Sequence, residues 1–275
     1  MADVKAEAKL DHFKFWIAKH QTLTPGIAVA LKGQFEGRGR AIPVTLTDFQ
    51  WIANPVEKTY KGQPKKRQKE HLHLLGYYFD PPAQPNRKVR IHNQLETTQW
   101  TLTPPNHLLI PAAKKVVKIK NKPPDPNKPP DLSVPKNEYH FECYPILGAP
   151  ALPFTVDLFD QFDDEFRAKK HETVKGLTPL WFCVPVSKTV GNKTDPIPGD
   201  DGDPDHGVDL PHLALYKFDA PALAPNRQAW ARGQFNDKAF LLTVESPYLL
   251  GVPTDKTHWE PVSKSTGGKG GPPQN

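Results

Sequence analysis

His140-Phe-Glu-Cys-Tyr144, then Asp160-Gln-Phe162, then Phe182-Cys-Val-Pro-Val-Ser-Lys188 is the stretch whose reading decides the fold. Apolar Phe141 and Cys143 alternate with polar His140 and Glu142, the two-residue period of a strand with one buried face. The same anchors recur in the same order elsewhere. His12-Phe-Lys-Phe-Trp16, His71-Leu-His-Leu-Leu75 and His212-Leu-Ala-Leu-Tyr216 lead to Gly33-Gln-Phe35, Asn93-Gln-Leu95 and Gly233-Gln-Phe235. These runs close on Pro55-Val-Glu-Lys58, Pro111-Ala-Ala-Lys114 and Pro253-Thr-Asp-Lys256, the counterparts of Pro185-Val-Ser-Lys188. Three anchors in fixed order, four times over, predict four degenerate copies of one small β-module. The residue before each Gln is Gly, Asn, Asp or Gly, types that tolerate left-handed backbone, which predicts a bulge or sharp strand end there.

Three or four strands per copy bury too little to fold alone. The expected architecture is therefore all-β: four tandem modules, sandwich or barrel-like, packed in pairs. Residues 1–60 and 61–115 are copies one and two, and 116–136 is a Pro/Lys-rich linker. Residues 137–190 are copy three, 191–211 an acidic Gly/Pro-rich loop, 212–262 copy four, and 263–275 a flexible tail. Proline supports short elements joined by stiff loops, since it ends helices and interrupts sheet ladders. The chain has 32 prolines in 275 residues, against roughly 5% in an average protein.

The chain has two cysteines, Cys143 and Cys183. The register of the other copies puts Phe15 and Ala53, Leu74 and Leu109, and Leu215 and Gly251 at the same two places. That register predicts contact and a disulfide, worth ~3–4 kcal/mol in the chain-entropy model. Two buried free thiols acting as small hydrophobes are the alternative. The copy-three motifs also resemble those of an uncharacterised bacterial β-repeat domain family, in which Phe-x-Cys-Tyr, Asp-Gln-Phe and Cys-Val-Pro-x-x-Lys strands recur. The resemblance covers His140 to Lys188 and part of copy four, while copies one and two lack both cysteines. It implies a β-rich repeat, usually outside the cytoplasm, without assigned catalytic residues.

Catalytic signatures are missing: there is no Gly-x-Ser-x-Gly elbow, P-loop, dinucleotide fingerprint or His-Glu-x-x-His helix. The expectation is a non-enzyme without a cofactor. Two metal candidates stand out. His71 and His73 lie at i, i+2 on one face of an expected strand, with His92 and His107 in the same copy. Asp201, Asp203 and Asp205 lie in an acidic Gly-containing loop that could hold calcium, the plainer reading being solvated acid groups. The recurring His12/71/140/212 and Gln34/94/161/234 read as hydrogen-bonding partners inside each module. Trp230, at an outward position between Ala229 and Ala231, is the aromatic expected to meet a partner.

The formal net charge is +6, with basic residues gathered in two runs. Lys65, Lys66 and Arg67 in the first, and Lys115, Lys118 and Lys120 in the second, suit other protein subunits or an anionic membrane surface. Nucleic acid is not expected, because these runs lack interleaved aromatics. Met1–Leu10 has no apolar signal core, and no run of about 18 apolar residues is present. The expected address is cytoplasmic, or peripheral on the cytoplasmic membrane face. It becomes extracytoplasmic if a signal peptide has been removed, and a disulfide favours that second address. The expected role is a non-catalytic structural or accessory subunit of a larger assembly. The alternative is an extracytoplasmic carbohydrate- or ligand-binding β-repeat protein.

Overall fold

The structure is a computed structural model and describes residues 5–20, 26–36, 41–117, 124–166, 171–199, 210–219 and 227–262. The first segment forms β1 (Phe13–Lys19), β2 (Ile27–Gly33), β3 (Ile42–Tyr60) and β4 (Gln63–Lys65). The second forms β5 (His73–Phe79), β6 (Arg87–Asn93), β7 (Thr97–Leu102) and β8 (His107–Val116). The third forms β9 (His140–Pro145), β10 (Leu152–Asp160), the short helix α1 (Gln161–Phe166), β11 (Glu172–Val190) and β12 (Lys193–Asp195). The fourth forms β13 (His212–Lys217), β14 (Arg227–Gly233) and β15 (Phe240–Pro261). The fold is all-β. Among the described residues no helix is long and apolar enough to cross a membrane.

Eight strands close on themselves. The order β1–β3–β5–β8–β9–β11–β13–β15 returns to β1, every contact antiparallel. Each segment thus gives its opening and closing strands to one barrel, instead of building a unit of its own. Where the first and third segments use one 19-residue closing strand each, the second is broken into β7 and β8. Pro104-Pro105 sit at that break, and proline brings no N–H to a ladder.

The remaining strands form an outer layer by exchange. β2 of the first segment pairs with β11 of the third, and β10 of the third pairs with β3 of the first. β6 and β15, and β14 and β8, link the second and fourth segments in the same way. The repeated prolines mark the handover. On one edge of β3, pairing with β5 ends at Ala53 and pairing with β10 begins at Val56. Pro55 falls in the gap, where its missing N–H leaves no ladder bond unmade. Pro111, Pro185 and Pro253 occupy the same gap in β8, β11 and β15.

Two cores result. Phe13, Phe15, Trp51, Leu74, Leu109, Phe141, Leu213, Leu215 and Leu249 fill the barrel, and Leu10 joins them from the preceding turn. An eight-stranded barrel has an interior just wide enough for side chains to fill it. Here large residues face small ones across each strand pair: Phe15 opposite Ala53, Leu109 opposite Gly76, and Leu215 opposite Gly251. In the third segment that place holds Cys143 opposite Cys183, joined by a disulfide with sulfurs 2.11 Å apart. The glycines are required by packing. A Cβ on Gly76 would lie 2.8 Å from the Trp51 ring, and one on Gly251 would lie 2.9 Å from Phe15. The second core, including Trp16, Leu31, Ile91, Leu158 and Tyr144, lies between the barrel wall and the outer strands.

Three sequence expectations change in detail. The pairs Phe13–Pro55, Phe141–Pro185 and Leu213–Pro253 are matched in the second segment by Leu74–Pro111. The buried histidine equivalent to His12 is therefore His73, and Gly76, not Leu74, faces Leu109. His71 lies in the preceding turn, exposed. The strand ends expected before Gln34, Gln94, Gln161 and Gln234 are present, but Gly33, Asn93, Asp160 and Gly233 keep negative φ. Asn93 and Asp160 instead cap the next turn, their Oδ1 atoms accepting from the N–H groups of Leu95 and Glu96 and of Phe162 and Asp163. Third, the His–Gln bonds run between segments: His140 Nε2 meets Gln234 Oε1 at 2.6 Å and His212 Nε2 meets Gln34 Oε1 at 3.0 Å.

Candidate functional site

The two ends of the barrel differ in kind. At the handover end, four lysines three places after the prolines turn inward. Lys58, Lys188 and Lys256 are buried, and the Lys114 amine is buried although its residue is partly exposed. The amines of Lys114, Lys188 and Lys256 lie 4.0, 5.0 and 5.1 Å from the ring centres of Phe162, Phe235 and Phe35, each from the next segment round the barrel. Cation–π attraction offsets part of their desolvation. Burial still pulls Lys114 and Lys256 down to about 7.

A fully buried ionic cluster supports the same end. Lys14 Nζ lies 2.9 Å from Asp163 and 2.6 Å from Glu172. Asp160 accepts from Trp16 Nε1 at 2.6 Å and from Asn54 Nδ2 at 2.9 Å. Burial, and then the charge of Asp160, raise the Asp163 carboxyl to about 7. A perturbed carboxylate is a functional-site signal when it faces a cleft. Asp163 faces Lys14 inside closed packing, with both side chains at 0% exposure. These charges hold α1 against β1.

The opposite end is built from the residues four and five places before each proline. Trp51, His107, Trp181 and Leu249 pair with Gly76, Cys143, Leu215 and Phe15 of the following opening strands. They form the last layer of the barrel. Just before them, Gln50, Leu180 and Tyr248 are skipped by the pairing, so each is a bulge, and Asn106 precedes β8 at the matching place. A bulge re-aims a side chain without ending the strand. Here the three bulges place an amide, a leucine and a tyrosine around the mouth, and Asn106 adds a second amide.

Trp51 stacks on His107 at 4.2 Å and 13°, and meets Trp181 edge-on at 5.1 Å. Asn106 Oδ1 accepts from Trp181 Nε1 at 3.1 Å and lies 2.7 Å from His107 Nδ1. His107 Nε2 is 2.9 Å from the Gln50 amide. Burial pulls His107 down to about 3, so the ring is neutral and carries one N–H. Nδ1 faces Asn106 Oδ1 and Nε2 faces Gln50 Oε1, and the single N–H serves one of these two contacts, as the tautomer sets. Beside this layer lies a groove of ≈ 400 Å³ lined by Lys19, Asp48, Gln50, Trp51, Trp181 and Tyr248 among others. Trp181 and Tyr248 are half-buried there, and Asp48 is exposed.

A hollow of ≈ 390 Å³ at the handover end is lined by His140, Asp195 and Gln234 among others. Two of its polar contacts are internal, His140 Nε2 to Gln234 at 2.6 Å and Asp195 to Lys188 at 2.9 Å.

The residues singled out in the sequence scatter. Trp230 is 7% exposed, opposite Lys115 and Leu241, and is a packing residue and not a surface contact. Lys65, Lys66 and Lys115 are exposed, while Arg67 pairs with Glu57 at 3.1 Å and Glu70 at 3.7 Å. His71 and His73 do not share a strand face. His92 bonds Thr97 Oγ1 and His107 lies at the mouth, so the four do not converge. Among the described residues no group of three or more His, Cys, Asp or Glu side chains is arranged to hold a metal. Asp201, Asp203, Asp205, Lys118 and Lys120 lie outside the described residues. The mouth was missed because its residues are of unlike types. Counting back four and five places from each repeated proline would have found it. Comparison with protein families, with curated proteins and with solved structures finds no match.

Proposed function

We propose that this chain is a non-catalytic recognition protein, a filled and disulfide-stapled β-barrel that binds a ligand at its aromatic mouth in an oxidising compartment. The observation that carries this reading is the contrast between the ends. Equivalent places repeat the same residues where the four segments hold each other, and diverge to Trp, His, Trp and Leu at the mouth. Side chains with catalytic potential, Lys14, Asp163 and His140, are spent on internal contacts. The Cys143–Cys183 disulfide supports an address outside the cytoplasm, where such bonds persist.

An accessory-subunit role is the second reading, favoured by the exposed Lys65, Lys66 and Lys115 on a rigid frame. Obligate interfaces, however, are large and apolar. Among the described residues Leu147 is the large hydrophobic that stands exposed. Tryptophan emission of the oxidised protein, recorded over neutral sugars, nucleosides, aromatic amines and short peptides, tests the proposal. A saturable change that Trp181→Ala abolishes and Trp230→Phe retains supports it. Silence across all classes, with co-purification in a large complex, transfers the function to the accessory-subunit reading.

A further inference from the structure

The groove at the mouth has a chemistry that selects among ligand classes. This step rests on the recognition reading above and names what is recognised. Tyr248 reaches the groove because the β1–β15 pairing passes from Phe15–Leu249 to Trp16–Pro247 and leaves it unpaired. Trp181, in the neighbouring closing strand, presents the second half-buried ring, and Trp51 backs it at 3% exposure. Planar polar groups stand at the edge of these rings: the Asp48 carboxylate, which accepts from Gln50 Nε2 at 3.2 Å, and the Gln50 amide itself.

Two alternatives fail on geometry and charge. A cage for a quaternary ammonium needs several ring faces turned toward one cation, each within about 6 Å of it. Trp51 and Trp181 touch edge-on at 5.1 Å and 67°, which leaves no room for a cation between them. An anionic ligand would need an unspent cation. Lys19, on the groove wall, is paired with Glu245 at 2.6 Å, and Asp48 repels an anion.

What fits is a molecule with one flat apolar face and a rim of hydroxyls, uncharged overall. A pyranose has both: its axial C–H groups lie on aromatic rings, and its equatorial hydroxyls give and take hydrogen bonds with carboxylate and amide groups. The ≈ 400 Å³ groove sits at the small end of the ~300–1,000 Å³ range of ligand sites. That size suits one or two sugar rings. We propose that the groove formed by Trp181, Tyr248, Asp48 and Gln50 is a binding site for a neutral saccharide, stacked on the two rings and held at its edge by the carboxylate and amide.

The test is a titration of the full oxidised chain, followed by amide NMR, with methyl glycosides of glucose, galactose, mannose and N-acetylglucosamine and with their disaccharides. The expected result is saturable shifts confined to 17–19, 48–51, 181 and 248 for at least one sugar. Asp48→Ala, an exposed position that leaves the barrel folded, should weaken binding at least tenfold, and Trp181→Ala should abolish it. Binding that survives both substitutions overturns the assignment. So does a wild-type spectrum unmoved by every sugar: if a nucleoside, amine or peptide moves the same residues, the saccharide assignment falls and the recognition reading stands. If none of them does, both fall.

Discussion

The handover end and the mouth are made from the same eight strands, yet they obey different rules. At the handover end, four prolines fill four identical gaps and the lysines that follow turn into the packing, three of them set over aromatic rings of the next segment. The same problem, how to pass one edge of a strand from a barrel neighbour to an outer neighbour, is met four times with the same residues. At the mouth the four places share only their geometry. Repetition within the chain thus marks structural work, and divergence at equivalent places marks freedom to specialise. If that division is right, substitutions at the handover end change stability and leave the mouth's ligand alone, and substitutions at the mouth do the reverse.

The largest effect should come from the buried cluster. Lys14→Met removes the cation that lies 2.9 Å from Asp163 and 2.6 Å from Glu172 inside closed packing. Breaking such a buried pair by removing one partner costs about 3–5 kcal/mol, which urea unfolding would measure. A loss below about 1 kcal/mol, the range of a solvated surface pair, would break the comparison at its stronger end. The paired substitution Cys143→Ala with Cys183→Ala should follow. The disulfide spans a sequence separation of 40 residues, for which loop-closure entropy gives about 4 kcal/mol, with measured losses of about 2–5 kcal/mol. The barrel should still close, since Phe15–Ala53 and Leu215–Gly251 fill the same place without sulfur.

How far the sequence carried these conclusions varies by element. Strand anchors were legible because burial on one face imposes a two-residue period, and the cysteine register followed from it. The second segment shows the limit. His71-Leu-His-Leu-Leu75 keeps its period when shifted by two residues, so the pattern could not choose between His71 and His73. The pairing partner Ala112 decides it. Exchange of outer strands between the first and third segments was invisible for a different reason. β2 and β11 meet through backbone hydrogen bonds, which leave little trace in side-chain pattern. The mouth was hidden because bulges select no residue type, as Gln50 and Tyr248 illustrate.

A pH titration of stability sharpens the comparison further. Burial lowers His12, His73, His140 and His212 at or beside the repeated anchors, His140 to about 4, and His107 at the mouth to about 3. Below the unfolded value of 6.5 the unfolded chain takes up protons that the folded chain refuses, so stability falls as pH drops from 6.5 toward 4. Asp163, raised to about 7, and Glu96, raised by burial, oppose this, because their protonated forms are favoured on folding. Six lowered histidines, His20 among them, against two raised carboxyls make acid destabilisation the net result. Lys114 and Lys256 act in a second window. Their folded values near 7 lie below the unfolded 10.5, so stability rises with pH between 7 and 10.5 and is flat with respect to them below 7. Lys256→Met should flatten that alkaline rise, whereas His107→Gln should remove only one of six acid contributions. Melting temperatures across pH 4–10 would show a single-site dependence if instead one group dominates.

The smallest stability change is expected where the functional change is greatest. Tyr248 sits on a bulge, half-buried, and its backbone carbonyl accepts from Phe218 N–H whatever the side chain. Asp48 is exposed, and its bond to Gln50 is long at 3.2 Å. Tyr248→Ala and Asp48→Ala should each change unfolding free energy by no more than about 0.5–1 kcal/mol, near the limit of measurement. Gln234→Ala, which takes away the partner of buried His140, should cost about 1–3 kcal/mol at a site of similar accessibility. The three substitutions put the two ends on one scale. A Tyr248→Ala loss as large as that of Gln234→Ala would mean that the mouth ring closes the barrel as a lid of packing, and the surface at Trp181 would then be an end-cap and not a place of contact.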